Sequence, residues 1–143
     1  MNSFNVHILA ASHTFYEGAC TSLVVPTPHG QYGILAGHCN TISAVVPGKM
    51  EYRVPGQGKQ IAAVSSGLVK VENNEVLVLV DSAERPEDID ANRAKRAADA
   101  AREALLQKQG FREYHEAQVT LARAIARLRV KDDANQKIHN NKG

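Results

Sequence analysis

The sequence predicts a β + α chain: a front part of short antiparallel strands folded into a sandwich or barrel, then a two-helix hairpin. Three observations carry this. Up to about residue 83, apolar residues recur at every second position in short runs cut by Pro, Gly and Asn, the pattern of half-buried strands. Beyond Pro86 the chain turns alanine-rich, and apolar residues recur every three or four positions, the period of one helix face. The charge shifts at the same place: of the 17 Lys and Arg, only Lys49, Arg53, Lys59 and Lys70 precede Glu84. A lean front and a charge-dense back suggest two segments of different architecture, 1–85 and 86–130.

Phe4, Val6, Ile8 and Ala10 alternate with Asn5, His7 and Leu9. Leu23-Val24-Val25 follows and meets the breaker Pro26-Thr27-Pro28-His29-Gly30. Ile42, Ala44 and Val46 alternate up to Pro47-Gly48, and Met50, Tyr52 and Val54 up to Pro55-Gly56-Gln57-Gly58. Ile61–Val64 ends at Ser65-Ser66-Gly67. Leu68–Val71 and Val76–Val80 flank Asn73-Asn74, and asparagine tolerates the positive φ of a tight hairpin turn.

No proline or glycine falls between Asp88 and Gln109. Ile89, Ala94, Ala97, Ala98, Ala101 and Leu105 form one helix face, with Asp88 as the expected N-cap and Gly110 as the stop. Tyr114, Ala117, Leu121, Ala124, Ile125 and Leu128 form a second face. Two helices joined at one glycine fold back as an antiparallel hairpin. Residues 131–143 are polar and are expected to fray. The facing stripe is mostly alanine, which forms helix readily but buries little area at about 25 cal/mol per Å². Stable helices with a weak seam make a movable element, and a hairpin that is simply docked and static accounts equally for the same pattern.

Composition excludes several classes. The net charge of +2 names no nucleic-acid partner, and no apolar stretch approaches the ~20 residues of a membrane span. The N-terminus has no basic stretch followed by an apolar run, so no signal peptide is expected. Cys20 and Cys39 read as reduced, buried thiols of a cytosolic protein. Gly56-Gln57-Gly58-Lys59-Gln60 fails as a phosphate loop: Arg53 stands where the first glycine belongs, and Gln60 where Ser or Thr must hold magnesium. His7, His13, His29, His38, His115 and His139 show no metal-ligand spacing, and nothing resembles a nucleophile elbow.

The helical arginines offer one candidate site. Arg123 and Arg127 share a face. In an antiparallel hairpin the start of the first helix meets the end of the second, so Asp90 and Arg93 are expected opposite them. Converging guanidiniums suit a polyphosphate. A solvated charged face accounts for the same spacing.

Several segments together resemble the epsilon subunit of bacterial F-type ATP synthases, whose mitochondrial counterpart is called delta. Gly30-Gln31-Tyr32-Gly33-Ile34-Leu35-Ala36-Gly37-His38 is similar to the family's glycine-rich loop. Ser65-Ser66-Gly67-Leu68-Val69-Lys70-Val71 is similar to its Ser-Gly-Gly strand. Ala83-Glu84-Arg85 and Ile89-Asp90-Ala91-Asn92-Arg93-Ala94 are similar to the lead-in of its hairpin, and 121–128 to its second helix. The resemblance implies an antiparallel sandwich of about ten strands and a non-catalytic subunit. The sandwich is then expected to bind the gamma subunit and the c-subunit ring, with Gln31, Tyr32 and His38 at the contact, and to couple ring rotation to the catalytic head. The hairpin is expected to swing up against the catalytic alpha and beta subunits and inhibit ATP hydrolysis. Folded down, it is expected to bind regulatory ATP through Glu84, Ile89, Asp90, Arg93, Ala94, Arg123 and Arg127, with no other cofactor and no metal. The implied location is the cytoplasmic face of the bacterial cell membrane, reached only through the complex.

The chain departs from the family at several positions. Ala100 stands where the best ATP binders carry arginine, with Arg96 one turn earlier. Gln31 replaces a common acidic residue, Ala36 a common proline, and Asn40-Thr41 follow Cys39 where proline and leucine are often seen. Two other readings compete: a stand-alone nucleotide-sensing module using the helical arginines, and an enzyme of unknown type, for which no residue constellation speaks.

Overall fold

The computed structural model describes residues 2–107 and 110–140. Ten strands come first: β1 (Phe4–Ala10), β2 (Thr14–Cys20), β3 (Ser22–Thr27), β4 (Gly30–Leu35), β5 (Thr41–Val45), β6 (Gly48–Val54), β7 (Gly58–Val64), β8 (Gly67–Glu72), β9 (Glu75–Val80) and β10 (Ala83–Glu84). A 3-10 turn at Pro86–Asp88 leads to helices α1 (Ala91–Leu106) and α2 (Phe111–Asn140). The strands make two five-stranded sheets, β2-β1-β9-β8-β5 and β10-β7-β6-β3-β4. All pairs are antiparallel except β1 with β9.

Alternation drives this arrangement. Val6 and Ile8 of β1, Val69 and Val71 of β8, and Val76 and Val78 of β9 point inward and are buried, as are Leu23, Val25, Ile34 and Met50 of the facing sheet. Each such side chain contributes about 1.5–3 kcal/mol by leaving water. Tyr52 of β6 meets Phe15 and Tyr16 of β2 at ring-centroid distances of 6.2 and 5.2 Å, so aromatic rings close the sandwich where the two sheets approach. Asn73 and Asn74 adopt φ of 51° and 65°, and the β8–β9 hairpin turns on them as their side chains permit.

The structure differs from the sequence expectation in several places. β2 escapes the alternation rule because Gly18 and Ala19 interrupt its apolar set, leaving Phe15 and Cys20 as its buried anchors. The glycine-rich segment expected as a loop is an edge strand, β4, which pairs only with β3 and buries Ile34. Pro26 does not break β3: β6 pairs with β3 only over Ser22–Val24, so beyond that no ladder partner needs the missing N–H. Cys39 is exposed, not buried; Cys20 is buried, and burial pushes its thiol up from its ordinary value. Asp90, not Asp88, caps α1, because Pro86 starts a 3-10 turn that uses up Asp88. The tail expected to fray from residue 131 is helical through Asn140, and contacts of Lys131 and Asp133, described below, hold its start. Gln109, at the end of the first periodic run, and residues 141–143 lie outside the described residues.

The hairpin packs in layers. Ala94, Ala98 and Ala101 of α1 and Ala117 and Ala124 of α2 are buried, and α1 packs chiefly on α2. α2 in turn lies on the outer face of β6 and β7. Glu84, Ala63 and Lys49 are cross-strand neighbours in one row of that face. Arg127, Val130 and Asp133 of α2 meet this row in order: Arg127 pairs with Glu84, Val130 packs with Ala63, and Asp133 pairs with Lys49. The match is geometric. Three helical residues rise about 4.5 Å, close to the strand spacing of about 4.8 Å.

Gly67 marks the closest backbone approach: a side-chain carbon there would collide with the Leu79 carbonyl across the β8–β9 pair. Gly67→Ala is expected to destabilise the sandwich by about 1–3 kcal/mol, read as a lower urea midpoint. An unchanged midpoint would show that the two backbones part without cost.

Candidate functional site

One cleft lies where β10, the 3-10 turn, α1 and α2 converge. Ala83 points into the core, so Glu84 must face outward beneath α2. Ile89 is buried with Ala63 and Val130, which fixes the chain just before α1. Asp90 then takes an extended conformation, and its carboxylate accepts from the Arg93 N–H at 3.1 Å, satisfying an N–H that the helix start leaves free. One turn on, Arg93, Ala94 and Ala97 line the near wall, and Arg127 of α2 lines the far one. The cleft holds about 280 Å³ and is lined by Glu84, Asp88, Asp90, Arg93, Ala94, Ala97 and Arg127. That is at the lower edge of the ~300–1,000 Å³ common for ligand sites.

Five of the seven residues expected at a nucleotide site therefore come together: Glu84, Asp90, Arg93, Ala94 and Arg127. Two do not. Arg123 lies outside this cleft: it reaches Asp81, 3.6 Å away, and lines an adjoining pocket of about 10 Å³ with Ser65, Ser82 and the same Glu84 and Arg127. Its buried Nε has no hydrogen-bond partner among the described residues. Ile89 is a packing residue. Asp88 and Ala97 were not singled out as site residues, although Ala97 follows Arg93 by four and so shares its face. Arg96 and Ala100 do not line the cleft.

The charges of the cleft oppose a simple anion site. Three carboxylates, Glu84, Asp88 and Asp90, stand against two guanidiniums. Arg127 already donates from Nε to Glu84 at 2.6 Å, and both side chains are about a third exposed or less. A polyphosphate would have to take Arg127 from Glu84. A second groove of about 410 Å³ opens on the other side of Glu84 and Asp88, lined by His13, Thr14, Phe15 and Arg85. There the Arg85 guanidinium lies 5.5 Å over the Phe15 ring. Nothing in the sequence pattern marks it. No group of His, Cys, Asp or Glu among the described residues could hold a metal ion.

The second set of expected residues sits at the turn after β4. Tyr32 is half-buried against the core. Its hydroxyl is 2.9 Å from His38 Nε2, and His38 Nδ1 is 2.7 Å from the Cys39 carbonyl. A carbonyl only accepts, so Nδ1 donates and, in the neutral ring, Nε2 accepts from Tyr32. Gln31 points to the opposite side of the strand, toward solvent. The turn is tied down by Asn74, whose side chain accepts from the Gly37 N–H at 2.8 Å. Leu35 and Ile42, 63% and 69% exposed, flank it.

A third feature escaped the sequence reading. α2 covers one outer face of the sandwich, whereas no helix among the described residues packs on the outer face of the β1-containing sheet. Leu9, Leu79 and Leu68 are cross-strand neighbours there, with Leu68 and Leu79 38% and 39% exposed. Leu77 and Ile42 lie in the adjoining row, together with His7 and Lys70. Contiguous apolar surface of this kind marks an interaction face. After Glu75 the outward residues of β9 are leucines while its inward ones are valines, and that double-sided apolarity was the available signal.

Comparison with known proteins agrees in all its parts. Residues 3–86 match the family model of the ATP synthase delta/epsilon chain, beta-sandwich domain, and residues 87–132 that of the delta/epsilon chain, long alpha-helix domain. The chain is 40% identical to the ATP synthase epsilon chain of Ruminiclostridium cellulolyticum over 129 residues, covering 90% of this chain and 95% of the relative. It is 35% identical to that of Laribacter hongkongensis over 140 residues, covering 97% and 100%. Its fold is similar to a chain in the cryo-EM structure of the Euglena gracilis mitochondrial ATP synthase, with a TM-score of 0.77 at 21% identity, covering 87% of this chain and 78% of that one. A chain of the Tetrahymena thermophila mitochondrial ATP synthase central stalk and c ring gives a TM-score of 0.61 at 14% identity, covering 89% and 95%.

Proposed function

The chain belongs to the delta/epsilon family of ATP synthase as a non-catalytic subunit, and on that premise we propose that it is a rotor-stalk subunit. In this reading the sandwich joins the gamma subunit to the c ring, and the hairpin restrains ATP hydrolysis. The observation that carries it is the bare leucine face opposite the hairpin. A chain that covers one sheet with its own helix and leaves Leu68 and Leu79 exposed on the other, with Leu9 half-buried beside them, is built to be covered by a partner. We assign that face to gamma, and the turn of Gln31 and His38, flanked by Leu35 and Ile42, to the c ring. No described helix is long and apolar enough to cross a membrane. In this reading the chain therefore sits at the cytoplasmic face of the bacterial membrane through its partners.

The hairpin suits a switch because α1 is held chiefly by an alanine-lined seam on α2, and the helices persist without it. Released, α2 would offer Arg123, Arg127, Arg129 and Lys131 to acidic segments of the catalytic subunits. Regulatory ATP fits the cleft only weakly. Arg93 and Arg127 provide the phosphate contacts, and Glu84 competes with phosphate for Arg127. The stand-alone nucleotide sensor is disfavoured by the same leucine face, which such a module has no use for.

Three outcomes test this. Leu79→Asp is expected to leave the sandwich folded and to raise the dissociation constant for gamma at least about tenfold, or about 1.4 kcal/mol; unchanged binding would move the gamma contact elsewhere. Titration calorimetry is expected to show weak ATP binding that Arg127→Ala weakens by about 1.5–3 kcal/mol and Glu84→Gln tightens. No heat at millimolar ATP would return these arginines to an ordinary charged surface. Deleting residues 86–143 is expected to leave assembly intact and raise hydrolysis at least about twofold, as when the inhibiting state holds half or more of the enzyme. An unchanged rate would make the hairpin a static appendage.

A further inference from the structure

We propose that a two-ended charge clamp sets the docking register of the hairpin on the sandwich, and that its outer end, Lys49 with Asp133, is the latch of the docked state. The proposal rests on the switch reading above only for its consequence in the assembled enzyme; the clamp itself belongs to the isolated chain. Its two ends have opposite polarity. At β10 the sheet supplies the acid and the helix the base: Arg127 Nε donates to Glu84 at 2.6 Å. At β6 the sheet supplies the base and the helix the acid: Lys49 Nζ donates to Asp133, also at 2.6 Å. Between them Val130, fully buried, packs with Ala63 and Ile89.

This pattern admits one placement. Sliding α2 by one strand would put Val130 on Lys49 or on Glu84, and a charge on Ala63. Reversing α2 would set Arg127 on Lys49 and Asp133 on Glu84, like charge on like charge. Each alternative strands a charge or buries an apolar side chain against one, which costs more than an exposed ion pair contributes. The latch therefore acts on register more than on raw stability. Lys131 reinforces it, with Nζ donating to the Pro86 carbonyl at 3.1 Å, so the same stretch of α2 also grips the turn leading into α1.

The two ends are not equivalent. Arg127 lines the nucleotide cleft, so a ligand there competes with the inner end. Lys49 and Asp133 are outside that cleft and remain available when Arg127 is taken. Lys49 also reaches Glu51 at 3.3 Å, which keeps its ammonium in place when α2 leaves. Hydrogen bonding to Asp133 raises the Lys49 ammonium above its ordinary value, partly offset by burial. For a raised lysine, the stabilisation is complete below the ordinary lysine range and is lost only as pH rises through the raised value. The lysine end of the latch therefore stays closed across neutral pH, and salt rather than alkali weakens it.

The test uses the full-length isolated chain and amide hydrogen exchange, with the sandwich strands as internal control. Lys49→Asp and Asp133→Lys are each expected to speed exchange in 124–134 about fivefold, equivalent to about 1 kcal/mol, with exchange in β1, β8 and β9 unchanged. The double swap Lys49→Asp with Asp133→Lys is expected to restore protection to within about twofold, because the pair is re-formed with its polarity exchanged. Single variants that exchange like the parent chain overturn the latch. So does a double variant as fast as the singles, or a loss of protection that spreads to the sandwich. None of these outcomes depends on hydrolysis. A failed latch with a stimulated truncated enzyme removes only the clamp, and an intact latch with an unstimulated enzyme removes only the switch.

Discussion

The hairpin depends on the contact of α2 with the outer face of β6 and β7. α1 rests chiefly on α2, so every hairpin residue is positioned relative to the sandwich through the stretch from Arg123 to Asp133. That stretch works because two independent lengths agree, the rise of three helical residues and the spacing of strands. The candidate cleft is a by-product of this placement. Glu84 is one end of the row, the 3-10 turn is pinned by Val130 and Lys131, and the cleft is the space left where α1 departs from that turn.

The alanine seam takes its meaning from the same layering. Ala94, Ala98 and Ala101 let α1 approach α2 closely but bury little area apiece. Val130, Ile89 and Ile61 offer larger side chains at the helix–sheet contact. Docking of α2 on the sandwich and closure of α1 on α2 are thus two events with different chemistry, one by charge and register, the other by small-residue packing. A hairpin that opens can do so at the seam while α2 stays docked, or at the sheet while the seam stays closed. The two routes expose different surfaces.

The fold class was legible because period two and period three-to-four leave distinct marks, and Pro86 falls where one gives way to the other. β2 and β4 were not, since Gly18, Gly30 and Gly33 dilute their alternation and pairing with β1 and β3 supplies what propensity lacks. At the site, Asp90 and Arg93 were legible because both belong to one helix start. The absence of Arg123 from the Arg93 cleft was not: helix spacing places it beside Arg127, and it lines a small pocket with Arg127 and Glu84, but its guanidinium reaches Asp81, in the segment after β9. Nothing in the sequence marks Lys49, because its partner lies 84 residues on and no local period reports a contact of that range. The polar composition of 131–140 hid the same contact from the other side.

On the proposed reading, the overlap of the clamp with the cleft would limit what a nucleotide could do in this chain. A ligand affects a two-state equilibrium only through its different affinity for the two states. A nucleotide bridging Arg93 and Arg127 would close α1 on α2, and that favours the compact hairpin. It would also take Arg127 from Glu84, and that weakens the hold of α2 on the sandwich. The two effects oppose each other, so the net shift is smaller than either. In a chain where Arg127 had no sheet partner the second effect would vanish, and nucleotide binding and docking would act in one direction. On the proposed reading, the carboxylate at Glu84 would therefore limit how far nucleotide could control the hairpin, and Lys49 with Asp133, outside the competition, would set how much of the docking survives it.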